Sequence, residues 1–422
     1  MSDWVLDIKA ELNNRRNAQS QEEQRRKKRS IYKLPPLILP PSISDDKKKP
    51  YQPQAVSFGP YHHGELHLKP VEDHKHRVFL NFLDRPGVCL RTIFNSMLEV
   101  AQDLQDSYYP LDPKWENGIE EFVKLMIVDG CFMLEIMRVM TNQPGHNYSD
   151  DDPIFSHHGK VCVMPLFKRD MLLLENQLPM LVLFKLMEEN DMGGMETLKK
   201  LILNFFNREN HGLDMGNCLH ILDLYGKTFL YYEPQKDSRE SKDILTSRSA
   251  TELKAAGIRF EKSKSESLND ISFKHGVLSL PKFIVDDITE STFLNLIAFE
   301  RCHVGAGHDV ISFISFMDVI VNQDRDISLL SSHGIILNFA GTDEAAADLF
   351  NVMSKDLMID SSSHLNMVLY DIDFYCSKPW HKWRAMLFHT YFRSPWAIIS
   401  VVAAIILFVL TTVSTVFIVM GK

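Results

Sequence analysis

The chain has few cysteines, and they are not arranged as a metal centre would require. Its 422 residues contain six, at positions 89, 131, 162, 218, 302 and 376. Structural zinc sites and thiol redox motifs use cysteines only a few residues apart, and no two of these are so close. The spacing indicates neither a zinc site nor a disulfide framework, and thiols this sparse favour a reducing compartment.

An excess of positive charge is also absent. Lys and Arg number 46 against 55 Asp and Glu, so the formal net charge is −9. A protein that binds a polyphosphate needs a basic surface to displace counterions. The acidic balance therefore argues against nucleic acid as the main partner.

Recognisable catalytic and nucleotide-binding motifs are missing as well. The sequence has no Walker A loop, no GxGxxG opening a βαβ unit, no GxSxG elbow and no kinase signature set. The glycine-rich stretch from Gly305 to His308 is best interpreted as a loop between helices. No cofactor is predicted.

The N-terminus lacks an apolar run of signal-peptide length, whereas the C-terminus has a long one. Residues 396–420 carry no ionisable side chain. About 20 residues of helix cross the ~30 Å hydrocarbon core of a bilayer, and this segment is longer. It predicts one transmembrane helix, bounded by Trp396 and Met420, with the lipid bilayer as a partner.

Positive charge lies mainly before this segment, at Lys378, Lys382, Arg384 and Arg393, and only Lys422 follows it. Because cytosolic flanks are usually the positive ones, residues 1–395 are predicted to be cytosolic. The expectation is a single-pass, tail-anchored protein, with the particular membrane left open.

Hydrophobic periodicity predicts a mainly α fold with a small β element (α+β). Apolar residues recur at helical spacing, most densely over 119–140 and over 164–190, where Pro179 should kink or break the helix. Short alternating runs after residue 257 indicate strands, with a hairpin turn at 274–276. Thr342 is a predicted N-cap.

Composition divides the chain into segments. The prediction is an N-terminal helix and a basic, proline-rich tether (1–50), a helical lobe (51–233), a polar linker (234–249), a second lobe with the β element (250–390) and the membrane helix (396–420).

Histidines cluster near the start of the first lobe, at His62, His63, His67, His74 and His76. Imidazoles beside Glu65, Glu72 and Asp73 are candidate zinc or iron ligands, with His62, His63 and His67 the nearest set. Their spacing matches no established ligand signature. The alternative is a structural turn followed by a solvated helix.

Four carboxylates lie within the most apolar segments: Asp129, Glu135, Asp170 and Glu175. Buried acids are costly unless paired, so each needs a partner, for which Lys75, Arg77, Arg138 and Arg169 are candidates. Paired acids can serve as general acid and base. Because no nucleophile or oxyanion device accompanies them, a structural polar core is the preferred interpretation.

Several separated motifs resemble the plant domain of unknown function 247 family. In chain order they are VSFGPYHHG (56–64), the helix carrying Glu72, His74, Lys75 and Arg77, VDGCFMLE (128–135), DMLLLENQLPMLVL (170–183), LKAAGIRFE (253–261), LSLPKFIVDDITESTFLNLIAFE (278–300), HGIILNFAGTDEAAADLFN (333–351) and the terminal hydrophobic span.

The resemblance implies a plant protein that ends in one hydrophobic helix and has no agreed enzymatic activity. Some grass relatives are associated with self-incompatibility recognition, which implies signalling or partner recognition at a membrane. The preferred hypothesis is therefore a membrane-tethered interaction module acting through protein partners. The alternative is a metal-assisted hydrolase built on the histidines of 62–76 and the helix carboxylates.

Overall fold

A computed structural model of the chain describes most of the body of the protein. The described residues are 25–39, 48–85, 87–141, 148–189, 192–209, 216–232, 248–358, 363–378, the backbone of 395–420 with side chains at 400, 403–416 and 420, and the single residues 4, 8 and 44. Within them the chain is mainly helical with small sheets, as the sequence predicted.

Helices predominate in the described parts of the chain, and the strands are short. The helices are α1 (Lys69–Leu83), α2 (Leu90–Glu99), α3 (Ala101–Asp106), α4 (Pro113–Asn117), α5 (Ile119–Met140), α6 (His157–Cys162), α7 (Met164–Asp170), α8 (Met180–Glu188), α9 (Met195–Phe205), α10 (Ile221–Lys227), α11 (Ala250–Ala256), α12 (Thr289–Cys302), α13 (Asp309–Ile320), α14 (Asp324–Ser332), α15 (Asp343–Met353), α16 (His364–Ser377) and α17 (Pro395–Met420). The strands are β1 (Ile31–Tyr32), β2 (Tyr108–Tyr109), β3 (Arg259–Lys262), β4 (Ser272–Lys274), β5 (Val277–Leu280), β6 (Phe283–Val285) and β7 (Ile336–Asn338).

These elements form two compact units. One contains Met1–Tyr231 and Ile288–Val310, and the other contains Tyr232–Asp287 and Ile311–Lys422. The predicted linker 234–249 lies outside the described residues except for Arg248 and Ser249. The predicted domain limits stay a prediction.

Helix α5 is the centre of the first unit, and its bounds are those that the apolar periodicity predicted. It packs against α1, α2, α8 and α9, so nearly every face of the helix is buried. This explains why its sequence is apolar nearly all round.

The predicted second core helix is interrupted over a longer stretch than Pro179 alone accounts for. Helix α7 ends at Asp170, and α8 begins only at Met180. The Asn176 and Gln177 carboxamides donate to main-chain carbonyls of the 170–173 stretch. Side chains that bond to nearby backbone in this way compete with helix formation.

Part of the predicted tether is packed rather than free. Strand β1 pairs in parallel with β2, and Ile31 is completely buried. The basic run is partly neutralised by acids of α3, with Lys28 Nζ 2.6 Å from an Asp103 carboxylate oxygen. Within the predicted tether, Ser30, Ile31 and Leu34 are therefore packed, whereas residues 25–28 and Leu37 are exposed.

In the second unit, β3, β5 and β4 form a sheet in which β4 and β5 make the predicted hairpin. Lys274 pairs with Val277, and the two turn residues, His275 and Gly276, have φ of 52° and 77°. Positive φ at both central positions is the geometry of a type I′ turn. Strands β6 and β7 pair in parallel, and Thr342 caps α15 as predicted.

The C-terminal segment predicted to cross a membrane is helical, as α17. Among the residues that the structure describes, no helix is long and apolar enough to span a bilayer. The structure therefore does not support the predicted anchor. The Trp396 side chain lies outside the described residues, and Met420 is exposed.

The packing of α5 on α8 yields a stability prediction at Gly130. A Cβ there would lie 2.5 Å from Leu186 Cδ1 and 3.0 Å from Val182 Cγ1. Gly to Ala inside a helix ordinarily stabilises by ~0.5–1 kcal/mol, but overpacking costs ~1–3 kcal/mol. We expect Gly130→Ala to lower the melting temperature of the full chain.

The control is Gly194→Ala, because nothing lies within 4 Å of the Cβ position at Gly194. Its effect on melting should be smaller. A raised melting temperature for Gly130→Ala would show that the two helices are not this close.

Candidate functional site

Buried polar side chains bind the loop before α1, residues 52–68, from several directions. At the end of α7, one Asp170 carboxylate oxygen accepts the main-chain N–H groups of Gln54, Ala55 and Val56 at 2.9, 2.7 and 3.1 Å. Burial raises the pKa of Asp170, and these three donors oppose the rise. The adjacent Arg169 guanidinium pairs with the same carboxylate at 2.8 Å.

The Asn176 side chain continues this pattern along the loop. Its Oδ1 accepts the Phe58 N–H at 2.7 Å, and its Nδ2 donates to the Val56 carbonyl at 3.0 Å. A carboxamide can satisfy a donor and an acceptor of the same extended segment at once. Asn176 therefore binds the loop much as a neighbouring strand would.

Asp129 of α5 and Lys75 of α1 form an ion pair beneath the loop, and both residues are fully buried. Lys75 Nζ lies 2.8 Å from Asp129 Oδ1 and donates to the Ser57 carbonyl, while Asp129 Oδ2 accepts the Gly59 N–H at 2.8 Å. Burial raises the pKa of Asp129, and the Lys75 ammonium opposes that rise.

Gly59 is a loop position where both the backbone angle and the available space require glycine. Its φ is +74°, and a Cβ there would lie 2.9 Å from both the Gln177 carbonyl oxygen and the Tyr108 hydroxyl. A side chain would therefore be strained and would clash. This close approach lets the Gly59 N–H reach Asp129.

His62 lies between two carboxylates at the far end of the loop. Its Nδ1 is 2.7 Å from Glu65 Oε1, and its Nε2 is 3.3 Å from Glu175 Oε2. Burial by itself lowers the pKa of His62, but the two carboxylates outweigh it, so the pKa is raised. Glu175 also accepts the Leu34 N–H at 2.6 Å, which joins the β1 segment to the loop.

The fourth predicted acid, Glu135, belongs to a different cluster. It pairs with Arg85 at 2.6 Å and accepts a hydrogen bond from the Tyr148 hydroxyl at 3.1 Å. The structure therefore gathers Asp129, Asp170 and Glu175 around the loop but leaves Glu135 elsewhere.

Two of the histidines proposed as metal ligands share a carboxylate, because His62 Nδ1 lies 2.7 Å and His67 Nδ1 lies 3.6 Å from Glu65. His62 is buried, whereas His63 is exposed and packs edge-on against Trp115, with ring centroids 5.5 Å apart. His67 is exposed and lies 3.0 Å from the Pro53 carbonyl. In the part of the chain that the structure describes, no three His, Cys, Asp or Glu side chains are placed to hold a metal ion.

The arrangement can fix a loop, and its acids are poorly placed for chemistry on a substrate. Asp129 and Asp170 are inaccessible to solvent, and their oxygens already accept bonds from this chain. Sequence reasoning missed Asn176 and Gln177. Two adjacent carboxamides inside the apolar stretch 171–183 were the available signal, because buried amides need partners.

The chain belongs to DUF247, a family of plant proteins of unknown function whose model matches residues 31–410. A similar protein of Arabidopsis thaliana, UPF0481 protein At3g47200, is 28% identical over 88% of this chain and 83% of its own length. Putative UPF0481 protein At3g02645, from the same plant, is 20% identical over 86% of each chain. No solved structure matches the chain.

The Lys75–Asp129 pair yields a second stability prediction. Among the described residues, Asp129→Ala leaves the fully buried Lys75 ammonium with Glu72, at 2.8 Å, as its only carboxylate, and leaves the Gly59 N–H without its acceptor. Breaking a buried ion pair typically costs ~3–5 kcal/mol, and the remaining Glu72 contact places the expected loss at the lower end. Glu121→Ala is the matched control, because Glu121 and Lys124 form an exposed pair on the same helix at 2.7 Å. Exposed pairs contribute only ~0.2–1 kcal/mol.

Urea unfolding of the full chain measures both free energies. We expect a large loss for Asp129→Ala and little change for Glu121→Ala. Equal losses, or no loss for Asp129→Ala, would contradict a stabilising role for the buried pair.

His62 predicts a pH dependence of stability. Since its folded-state pKa is raised above the ordinary value of about 6.5, the charged imidazole stabilises the fold fully below that value. The contribution is lost as pH rises through the folded pKa. We therefore expect His62→Gln to lower the unfolding free energy more at pH 6 than at pH 9.

The matched control is His63→Gln, which removes an exposed imidazole from the neighbouring position. Its effect should be small at both values of pH. A His62→Gln effect that grows towards pH 9 would contradict the assigned direction of the shift.

Proposed function

We propose that this protein is a membrane-anchored interaction module rather than an enzyme. The proposal rests on the bonding and the burial of the acids around the loop. The oxygens of Asp129 and Asp170 accept main-chain N–H groups or bind cations of the same chain at positions closed to solvent. Glu175, whose side chain is 12% exposed, accepts the Leu34 N–H and contacts His62. These groups hold a surface in shape, and a partner would bind that surface.

The tip of the loop is the surface we assign to a protein partner. His63, Glu65, Leu66 and His67 are exposed, Leu66 to 85%. The backbone on the N-terminal side of the tip is held by Asp129, Asp170 and Asn176, as described above. A preorganised loop loses less conformational entropy on binding, and this favours affinity.

The membrane anchor in the proposal is supported by the exposure of α17. Six consecutive apolar residues, Ile405 to Leu410, are each more than half exposed. Six residues cover more than one full helical turn, so this part of the helix is apolar on every side. Such a surface is unfavourable in water by about 25 cal/mol per Å² and is stable in hydrocarbon.

The orientation in the proposal follows from the flanking charges. Lys378 and Arg393 precede the helix with further cations between them, so the body is assigned to the cytosolic side.

A metal-assisted hydrolase fits these observations less well. It requires a carboxylate or imidazole that can reach substrate and a set of ligands for the metal. Asp129 and Asp170 are closed to solvent, and among the described residues no three His, Cys, Asp or Glu side chains are placed to hold a metal ion.

Truncation after Tyr391 tests the anchor. It removes α17, so the shortened protein should be released from plant membranes by alkaline carbonate, whereas the full chain should stay in the pellet. The readout is the fraction in the pellet after centrifugation.

Two further variants test whether the apolarity of the segment, rather than another property, retains the protein in the membrane. Replacing residues 405–410 by leucines keeps the helix apolar and should preserve membrane retention. The double substitution Leu407→Arg and Val409→Arg should release the protein, because each arginine costs ~2.5–3.5 kcal/mol at the centre of a membrane helix. A truncated chain that still resists carbonate would overturn the single anchor.

A further inference from the structure

An apolar groove opens between α1, α2 and α5. Its volume is about 680 Å³, and its apolar lining comes from Phe79, Leu90, Phe94, Ile127 and Val128. Sites for small organic ligands usually occupy 300–1,000 Å³ and are mostly apolar, with a few polar groups that fix orientation. The groove has the size and the lining of such a site.

The charged groups of this groove are both positive. Arg91 and Lys124 line it together with Asn95, and no acid does. Arg91 makes no ion pair with the described residues, and in the first turn of α2 a cation opposes the helix dipole. The charge of Arg91 therefore does not stabilise the helix through its dipole. Lys124 pairs with Glu121 at 2.7 Å, but both side chains are more than half exposed, so the pair can exchange.

We propose that the groove binds a single-chain anionic amphiphile, specifically a free long-chain fatty acid. The carboxylate pairs with Arg91 and Lys124, and the hydrocarbon chain lies against Phe79 and Phe94. The apolar lining supplies affinity for the chain, and the two cations select the charge of its head.

The extent of the groove suits one alkyl chain, because eight residues from three helices line a volume of about 680 Å³. The proposal does not depend on the membrane anchor or on a partner at the loop tip.

The fluorescent fatty acid cis-parinaric acid tests the proposal directly. The full chain is kept dispersed in a nonionic amphipol, which serves whether or not α17 enters a bilayer, and empty amphipol is the blank. We expect saturable fluorescence enhancement that palmitate displaces. Methyl palmitate, which has the chain without the charge, should displace the probe at least tenfold more weakly.

Charge variants locate the site. Arg91→Glu should weaken binding by about tenfold or more, and Arg91→Lys should restore most of it. Lys254→Glu, an exposed cation on α11 in the other unit, is the matched control and should bind like the wild type. Melting temperatures confirm that each variant is folded.

Several outcomes would overturn the proposal. One is the absence of saturable enhancement with the wild type, and another is equal displacement by the acid and its ester. Unchanged binding by Arg91→Glu would place the ligand elsewhere. Binding to anionic vesicles without binding of monomeric fatty acid would point to a membrane surface instead, and the groove assignment would be wrong.

Discussion

The ion pair between Lys75 and Asp129 is the interaction on which the first unit depends. It joins α1 to the central helix α5, and it bonds to the loop at Ser57 and Gly59. Both charges are fully buried, so desolvation offsets much of their attraction, and an apolar pair could be equally stable. What the pair adds is a fixed arrangement, because neither charge can leave its partner without a large cost.

The Lys75–Asp129 pair also helps to fix the shape of the loop. Among the described residues no strand pairs with its main chain, and buried N–H and C=O groups must still be bonded. Asp129, Asp170 and Asn176 supply those bonds from segments far away in sequence. The acids that the sequence offered as possible catalytic groups thus bond to the loop main chain as a neighbouring strand would. Because these carboxylates are bonded to the main chain, we propose recognition of a partner, rather than chemistry on a substrate, as the function.

Sequence patterns predicted local structure well where one side chain or one period decides it. The bounds of α5, the hairpin at 274–276 and the Thr342 cap all follow from residues within a few positions of one another. The prediction was wrong for the segment after α7, where Asn176 and Gln177 bond to local carbonyls and stop the helix. The spacing of apolar residues does not reveal this competition between side-chain amides and the helix for backbone carbonyls.

The sequence by itself determined the helical class, the family and the burial of the polar residues, since an acid within an apolar helix must find a partner. It could not determine which partner. Lys75 and Arg169 were among the candidates for Asp129 and Asp170, but the main-chain donors of 54–59 were not. Every residue except proline carries the same backbone N–H, so the sequence does not show which of these donors a buried acid will meet. Only the tertiary structure brought Glu175 to His62 and left Glu135 with Arg85. Burial is decided by composition and periodicity, whereas pairing is decided by distances between segments that lie far apart in the chain.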